Sequence, residues 1–201
     1  MQISEITAFL EDAYDILNVH LFGGELPRAV ITVQSSPKAY GHFTKYDAWH
    51  DGADGYREIN LGAETLDRPI ENVIATLVHE QSHYFNDIHG IADVSRSGTY
   101  HNRKFKETAE AHGLIIDYDP KIGYSLTTPS DSLIQFIEEQ GWTGISLARD
   151  GGLGASGGAT GKKKSSTRKY ICMGCGTSIR ATRFVNVACI DCGGLPMVLD
   201  I

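Results

Sequence analysis

Residues 150–169 divide this chain before any motif is read. They run through Gly, Ser, Ala and Thr into Lys162-Lys163-Lys164 and Arg168-Lys169, with too little apolar material to pack. Such a stretch joins no core, so the parts on either side must fold apart. All eight histidines lie before it and all four cysteines after it. Residues 1–150 carry 11 basic and 23 acidic side chains and residues 151–201 carry 7 and 2, which joins a part at −12 to a part at +5. The expected organisation is a main domain over 1–148, a flexible tether over 149–168 and a small module over 169–201. As a Gly-rich coil the tether holds its ends on the order of 20–25 Å apart.

With 41% hydrophobic residues in 201, the chain can bury one good core plus a small appendage. No apolar run approaches the roughly 18 residues that a membrane span requires. Residues 1–10 lack a basic start followed by an apolar stretch, so the expectation is a soluble, unexported, cytoplasmic protein with no membrane partner.

Ile3, Ile6, Leu10, Ala13, Tyr14, Leu17 and Leu21 recur at three- and four-residue steps before Gly23-Gly24, which predicts a first helix over 3–21. Segments 29–34, 39–46 and 57–61 have strand character, separated by Ser-Ser-Pro and an Asp/Gly-rich stretch. A second helix is expected from Asp67 or Pro69 to about Phe85, a third over 101–112, and a fourth from Ser130-Asp131 to before Gly141. The fold class is α+β, with helices around a small three- to four-stranded sheet.

The second helix carries His79-Glu80-Gln81-Ser82-His83. Four-residue spacing sets both imidazoles on one face, one turn apart, within reach of a single ion. Ile70, Ile74 and Leu77 occupy the opposite face and point it at the core. Glu80 then stands beside the ion, where a carboxylate takes a proton from metal-activated water and passes it to a leaving amine.

A catalytic zinc takes three protein ligands, and two histidines compete for the third place. His89 lies six residues after His83, with Asn86 where the extended metzincin motif has a turn glycine. That motif also needs a downstream methionine turn, and Met173 and Met197, the methionines after it, lie among the cysteines. The other candidate is His101 in Ser97-Gly98-Thr99-Tyr100-His101-Asn102-Arg103-Lys104-Phe105. His42, Trp49 and His50 are candidates for substrate contacts or oxyanion stabilisation, and Tyr100 for polarising a carbonyl, with structural roles expected to prevail.

Cys172-Met173-Gly174-Cys175 and Cys189-Ile190-Asp191-Cys192 are separated by thirteen residues, the spacing of a four-cysteine zinc ribbon. Paired Cys-x-x-Cys motifs in an unexported chain favour metal over disulfides, and a closed four-thiolate site is structural. Gly174, Gly176, Gly193 and Gly194 are expected to supply the backbone freedom for its turns. Basic residues at this end, Arg180 and Arg183 included, form the kind of cluster that contacts phosphates without reading sequence.

The series Arg57-Glu58-Ile59-Asn60-Leu61, then His79 to His83, then Gly98-Thr99-Tyr100-His101 with Phe105 nearby, resembles the SprT-like (Spartan-like) metalloprotease family. Bacterial relatives often end in a Cys-x-x-Cys ribbon, so the resemblance extends to the tail and leaves mainly the Gly/Lys tether outside it. Carried over by residue, it implies a zincin-like domain in which His79, His83 and His101 hold a catalytic Zn²⁺ and Glu80 is the general acid/base. Cys172, Cys175, Cys189 and Cys192 then hold a second, structural Zn²⁺. The implied function is endoproteolysis, directed at proteins attached to DNA, with the basic tail touching DNA and the substrate backbone pairing with a sheet edge. No ubiquitin-binding or clamp-binding motif of the eukaryotic members is recognisable. The alternative is an adaptor for nucleic acid or protein that binds zinc without turnover, and self-cleavage in the tether is a third expectation.

Overall fold

The computed structural model describes residues 1–36, 38–151 and 168–200. The chain divides into two compact units, Met1–Gly157 and Gly158–Ile201. Most of the expected tether, residues 152–167, lies outside the described residues. Arg149 belongs to the first unit: its N–H donates to the Ala63 carbonyl at 2.8 Å and its guanidinium meets Glu64 at 3.0 Å.

The first unit opens with α1 (Ile3–Phe22), which buries Ile6, Leu10, Ala13, Tyr14 and Leu17 along one stripe. Gly23 ends it in the left-handed region at φ 63°, and the Gly24 N–H returns to the Asn18 carbonyl at 2.9 Å. The Asn18 amide grips the Leu26 backbone in both directions and aims the chain into the first sheet.

That sheet contains β1 (Ala29–Gln34), β2 (Gly41–Phe43), β3 (Trp49–Asp51) and β4 (Asp54–Gly62). Strand β4 lies parallel to β1, and both β2 and β3 pair with it antiparallel. Period-two alternation turns Ile31, Ile59 and Leu61 into the core and Thr32, Gln34, Glu58 and Asn60 to the other face. The polar face satisfies itself. Asn60 Oδ1 accepts from Thr32 Oγ1 at 3.1 Å and the Gln34 N–H at 2.8 Å, and Trp49 Nε1 donates to Glu58 at 2.5 Å.

Helix α2 (Ile70–Ile88) runs three residues beyond the expected end. Pro69 stands at its N-cap with no side-chain cap, so Asp67 does not fill the capping role expected of it. The helix is buried on nearly every side: Val73, Ile74, Leu77 and Val78 are at 0%, and so are Gln81, Ser82 and Asn86. It packs against β2, β8 (Gly123–Pro129) and α3 (Arg103–Ala111).

One small sheet was expected; the unit has a second, four-stranded one in the order β5-β6-β8-β7, adding β5 (Val94–Ser95), β6 (Tyr100–His101) and β7 (Leu114–Asp119). In β7 the buried Leu114 and Ile116 alternate with exposed Ile115 and Asp117, Tyr118 is exposed at the register shift that follows, and an apolar residue at the outward position 115 blurs the strand pattern. Asp119 accepts from the Lys121 and Ile122 N–H groups and turns the chain into β8. His101 therefore lies in β6, not at the head of the third helix; Asn102 caps α3, accepting from Lys104 N at 2.8 Å. Ser130 caps α4 (Asp131–Glu139) in the same way, ending its run two residues before Gly141.

In the second unit β9 (Arg168–Ile171) pairs with β10 (Ser178–Ala181) and β13 (Val198–Asp200), and β11 (Ala188–Cys189) pairs with β12 (Leu195–Pro196). Its buried side chains among the described residues are Tyr170, Cys172 and Cys189. No helix of the described residues is long and apolar enough to cross a membrane.

Candidate functional site

Helix α2 brings His79 and His83 together with ring centroids 5.0 Å apart, and β6 brings His101 against both. His101 Nε2 lies 3.0 Å from His83 Nε2 and 3.3 Å from His79 Nε2. The register is fixed from outside: β6 meets β8 at His101↔Gly123, and a Cβ at Gly123, which sits at φ 76°, would run into the His101 carbonyl oxygen. Phe105, fully buried one turn into α3, forms the floor, with its ring 4.4–4.7 Å from all three imidazoles.

These three nitrogens fit a metal ion. Zinc–nitrogen bonds of about 2.0–2.1 Å in tetrahedral geometry set ligand nitrogens roughly 3.3–3.4 Å apart, and the group His79, His83 and His101 has its ligand atoms within 4.8 Å of one another. Burial and then its histidine neighbours hold the His79 pKa well below the usual histidine range, and burial chiefly lowers His101 to about 4. Neutral rings leave lone pairs for a cation. His83 Nδ1 donates to the buried Asp93 carboxylate at 2.5 Å, which directs its Nε2 lone pair inward, and His79 Nδ1 meets Thr127 Oγ1 at 2.8 Å. His101 Nδ1 is buried with no partner among the described residues.

Glu80 follows His79 but is not one of the convergent ligands. It is 5% exposed, and burial, then the charge of Asp93, pushes its carboxyl up to about 8. Its side chain reaches β2: a Cβ on Gly41 would lie 3.1 Å from Glu80 Oε1. Glycine at 41 therefore leaves room for the carboxylate at the strand edge.

The other sequence candidates lie elsewhere. His89 caps the C-terminus of α2, its Nδ1 on the Phe85 carbonyl at 2.8 Å and its Nε2 on Glu25 at 3.1 Å. His42 faces the polar side of the first sheet, 3.8 Å from Glu58, and Trp49 serves the same carboxylate. His50 is exposed on β3. The Tyr100 hydroxyl turns away from His101 to Tyr118 at 3.2 Å. Sequence reasoning missed Asp93, Thr127, Lys45 and Gly41, because a partner held through tertiary contact has no fixed spacing from the ligand it serves.

In the second unit the four cysteine sulfurs also lie within 4.8 Å of one another, with Cys175 and Cys189 Sγ at 3.6 Å. Zinc–sulfur bonds of about 2.3 Å imply sulfurs roughly 3.8 Å apart. Gly176, Gly193 and Gly194 adopt positive φ, and Gly174 lets the two pairs close, since a Cβ there would be 2.9 Å from Cys192 Sγ. Hydrogen bonds from Thr177, first among the causes, lower Cys175 to about 6, whereas its neighbour Cys175 and then Cys172 push Cys192 up to about 12. Crowded thiols resist full ionisation, and a divalent cation is what makes four thiolates compatible.

Comparison of the chain with family models, curated proteins and solved structures finds no match. The functional reading rests on the motifs and the geometry of these two clusters.

Proposed function

We propose that the chain is a zinc-dependent endopeptidase of the SprT-like (Spartan-like) type, with a zincin-like first unit and a structural zinc ribbon as its second. The observation that carries this reading is the convergence of three imidazole nitrogens beside a buried glutamate at the edge of a sheet. Zinc, when bound, polarises a carbonyl and acidifies water. His79, His83 and His101 would hold the ion, and among the described residues no fourth protein ligand joins the group, which would leave a position for water. Glu80 accepts the proton of the attacking water as the carbon–oxygen bond forms, and returns it to the amine as the carbon–nitrogen bond breaks. Burial and the neighbouring Asp93 raise the proton affinity of the Glu80 carboxyl, which favours its holding the transferred proton between the two bond changes.

Strand β2 supplies the substrate rail. It closes one side of the first sheet, and the Tyr40 carbonyl and Thr44 N–H bond inward to β4. Antiparallel alternation then turns the N–H and C=O groups of Gly41 and Phe43 outward, beside Glu80. An extended peptide adding to this edge is held by its backbone, which supports broad sequence preference. Proteins attached to DNA are the substrate class the resemblance implies. Arg168, Lys169, Arg180 and Arg183 of the second unit supply cations for phosphate, and Arg168 lies 4.0 Å over the exposed ring of Phe184.

The deciding experiment pairs metal analysis with cleavage of an unfolded and a DNA-bound protein by wild type and Glu80→Gln. Both proteins are expected to hold about two zinc per chain, and only the wild type to cleave. Wild type that holds zinc but leaves every such substrate intact favours an adaptor.

A further inference from the structure

Asp93 occupies a position that the peptidase reading does not by itself explain. It sits on the far side of the His83 ring, away from the three convergent nitrogens, with its side chain 0% exposed. Three groups share its carboxylate: His83 Nδ1 at 2.5 Å, Lys45 Nζ at 2.9 Å and Asn86 Nδ2 at 3.3 Å. A fully buried carboxylate is costly unless every oxygen is met, so this site is built for an ion and not merely tolerant of one. Its main chain is equally engaged. The Asp93 carbonyl accepts from the Asn102 N–H at 2.9 Å, and the next residue, Val94, pairs with His101 in the second sheet.

One residue thus touches both elements that bring histidines together: the ring of His83 on α2 through its side chain, and the strand of His101 through its backbone. Lys45 lies in the loop that follows β2, the strand whose Gly41 faces Glu80. We propose that Asp93 is the positioning residue of the histidine site, with Lys45 as its counter-ion, so that metal affinity is set by a contact reaching from the sheet edge. The proposal rests on reading the three histidines as zinc ligands. An acceptor on Nδ1 fixes the tautomer, holds the ring plane and makes Nε2 a better donor to a cation. Thr127 does this less strongly for His79, being a neutral hydroxyl, and nothing among the described residues does it for His101. Most of the electrostatic support of the site therefore comes through Asp93.

The test titrates the full metal-free chain with Co²⁺ and then Zn²⁺. Intense thiolate charge-transfer bands report the cysteine site and weaker d–d bands the histidine site, so the two affinities are read separately. Asp93→Asn is expected to weaken the histidine site on the order of 10–100-fold while leaving the thiolate bands unmoved. Lys45→Met, at a side chain 43% exposed and easily replaced, should weaken it less. In Asp93→Asn the new amide N–H faces the Lys45 ammonium, so adding Lys45→Met is expected to restore part of the loss, which a purely structural role would not produce. Histidine-site affinity unchanged in Asp93→Asn and in Lys45→Met overturns the proposal alone. If Asp93→Asn does not fold, Lys45→Met decides by the same criterion. A wild-type chain that shows thiolate bands and no second ion overturns the zinc reading, and this inference with it.

Discussion

The two clusters of side chains that could hold a metal ion stand in opposite relations to the folds that carry them. In the first unit an apolar cluster running from Ile6 to Ile145 exists without reference to the histidines, which sit on its edge over Phe105. In the second unit Tyr170, Cys172 and Cys189 are the buried side chains among the described residues, so two of the groups that form the core belong to the candidate metal cluster itself. A ligand on a finished scaffold can be spent on chemistry, whereas a ligand that is the scaffold cannot be left partly free. The open three-histidine group and the closed four-cysteine group follow from that difference.

Removing metal is the harshest way to break the comparison. Chelation, or Cys192→Ser, is expected to unfold the second unit, because structural zinc contributes on the order of 10 kcal/mol to a module of this kind. The first unit should keep its helical circular dichroism and its resistance to proteolysis. Loss of both units together would show that the histidine scaffold is not independent of its ion.

Glu80→Gln probes function on a scaffold that stays whole. Turnover should fall ~10²–10⁴-fold, the usual contribution of a positioned acid/base, with zinc content and thermal midpoint near wild type. A large drop in zinc content would place Glu80 among the ligands and contradict the geometry.

Gly123→Ala tests how far the scaffold sets the site. The added Cβ meets the His101 carbonyl at a backbone φ of 76°, so destabilisation of about 1–3 kcal/mol is expected in a denaturant titration, with weaker zinc binding at the histidine site alone.

How much of this was legible in advance follows the same division. The cysteine cluster could be read whole, since its members are local pairs and its glycines stand beside them in sequence. For the histidine site, helix spacing gave His79 and His83, and a family resemblance pointed to His101. The support from Asp93, Thr127 and Gly41 was invisible, because each arrives from a separate element through tertiary packing. Much the same holds for the second sheet. Exposed Ile115 breaks the alternation in β7, and β5 and β6 are two residues each, too short to carry a pattern. Helices α1, α2 and α4 were readable because long stripes and end signals agree.

Acid sharpens the claim that the first unit has stability of its own. Ser35 and then the Ser36 N–H hold the Glu64 carboxylate, and Arg149 adds its charge, which together lower the pKa from 4.5 to about 2. A carboxyl depressed on folding contributes stability that is present above about pH 4.5 and is lost as pH falls toward 2. Acid titration of metal-free Glu64→Gln should therefore show a shallower loss of stability across that window than metal-free wild type. Equal slopes would mean that this anchor of Arg149 adds nothing.

The smallest effect is expected at His89, and its smallness is informative. This residue has the spacing of a third zinc ligand, yet it closes α2 against Phe85 and Glu25 at the surface. His89→Ala should change stability within roughly ±0.5 kcal/mol, as surface substitutions do, and leave zinc content and cleavage as in wild type. His101→Ala measured beside it should empty the histidine site. If His89→Ala were the variant that lost the ion, α2 would have to unwind at its end to deliver that ring. The first unit would then be shaping itself around metal, as is proposed for the second, and the contrast between a prebuilt and a metal-built site would fail.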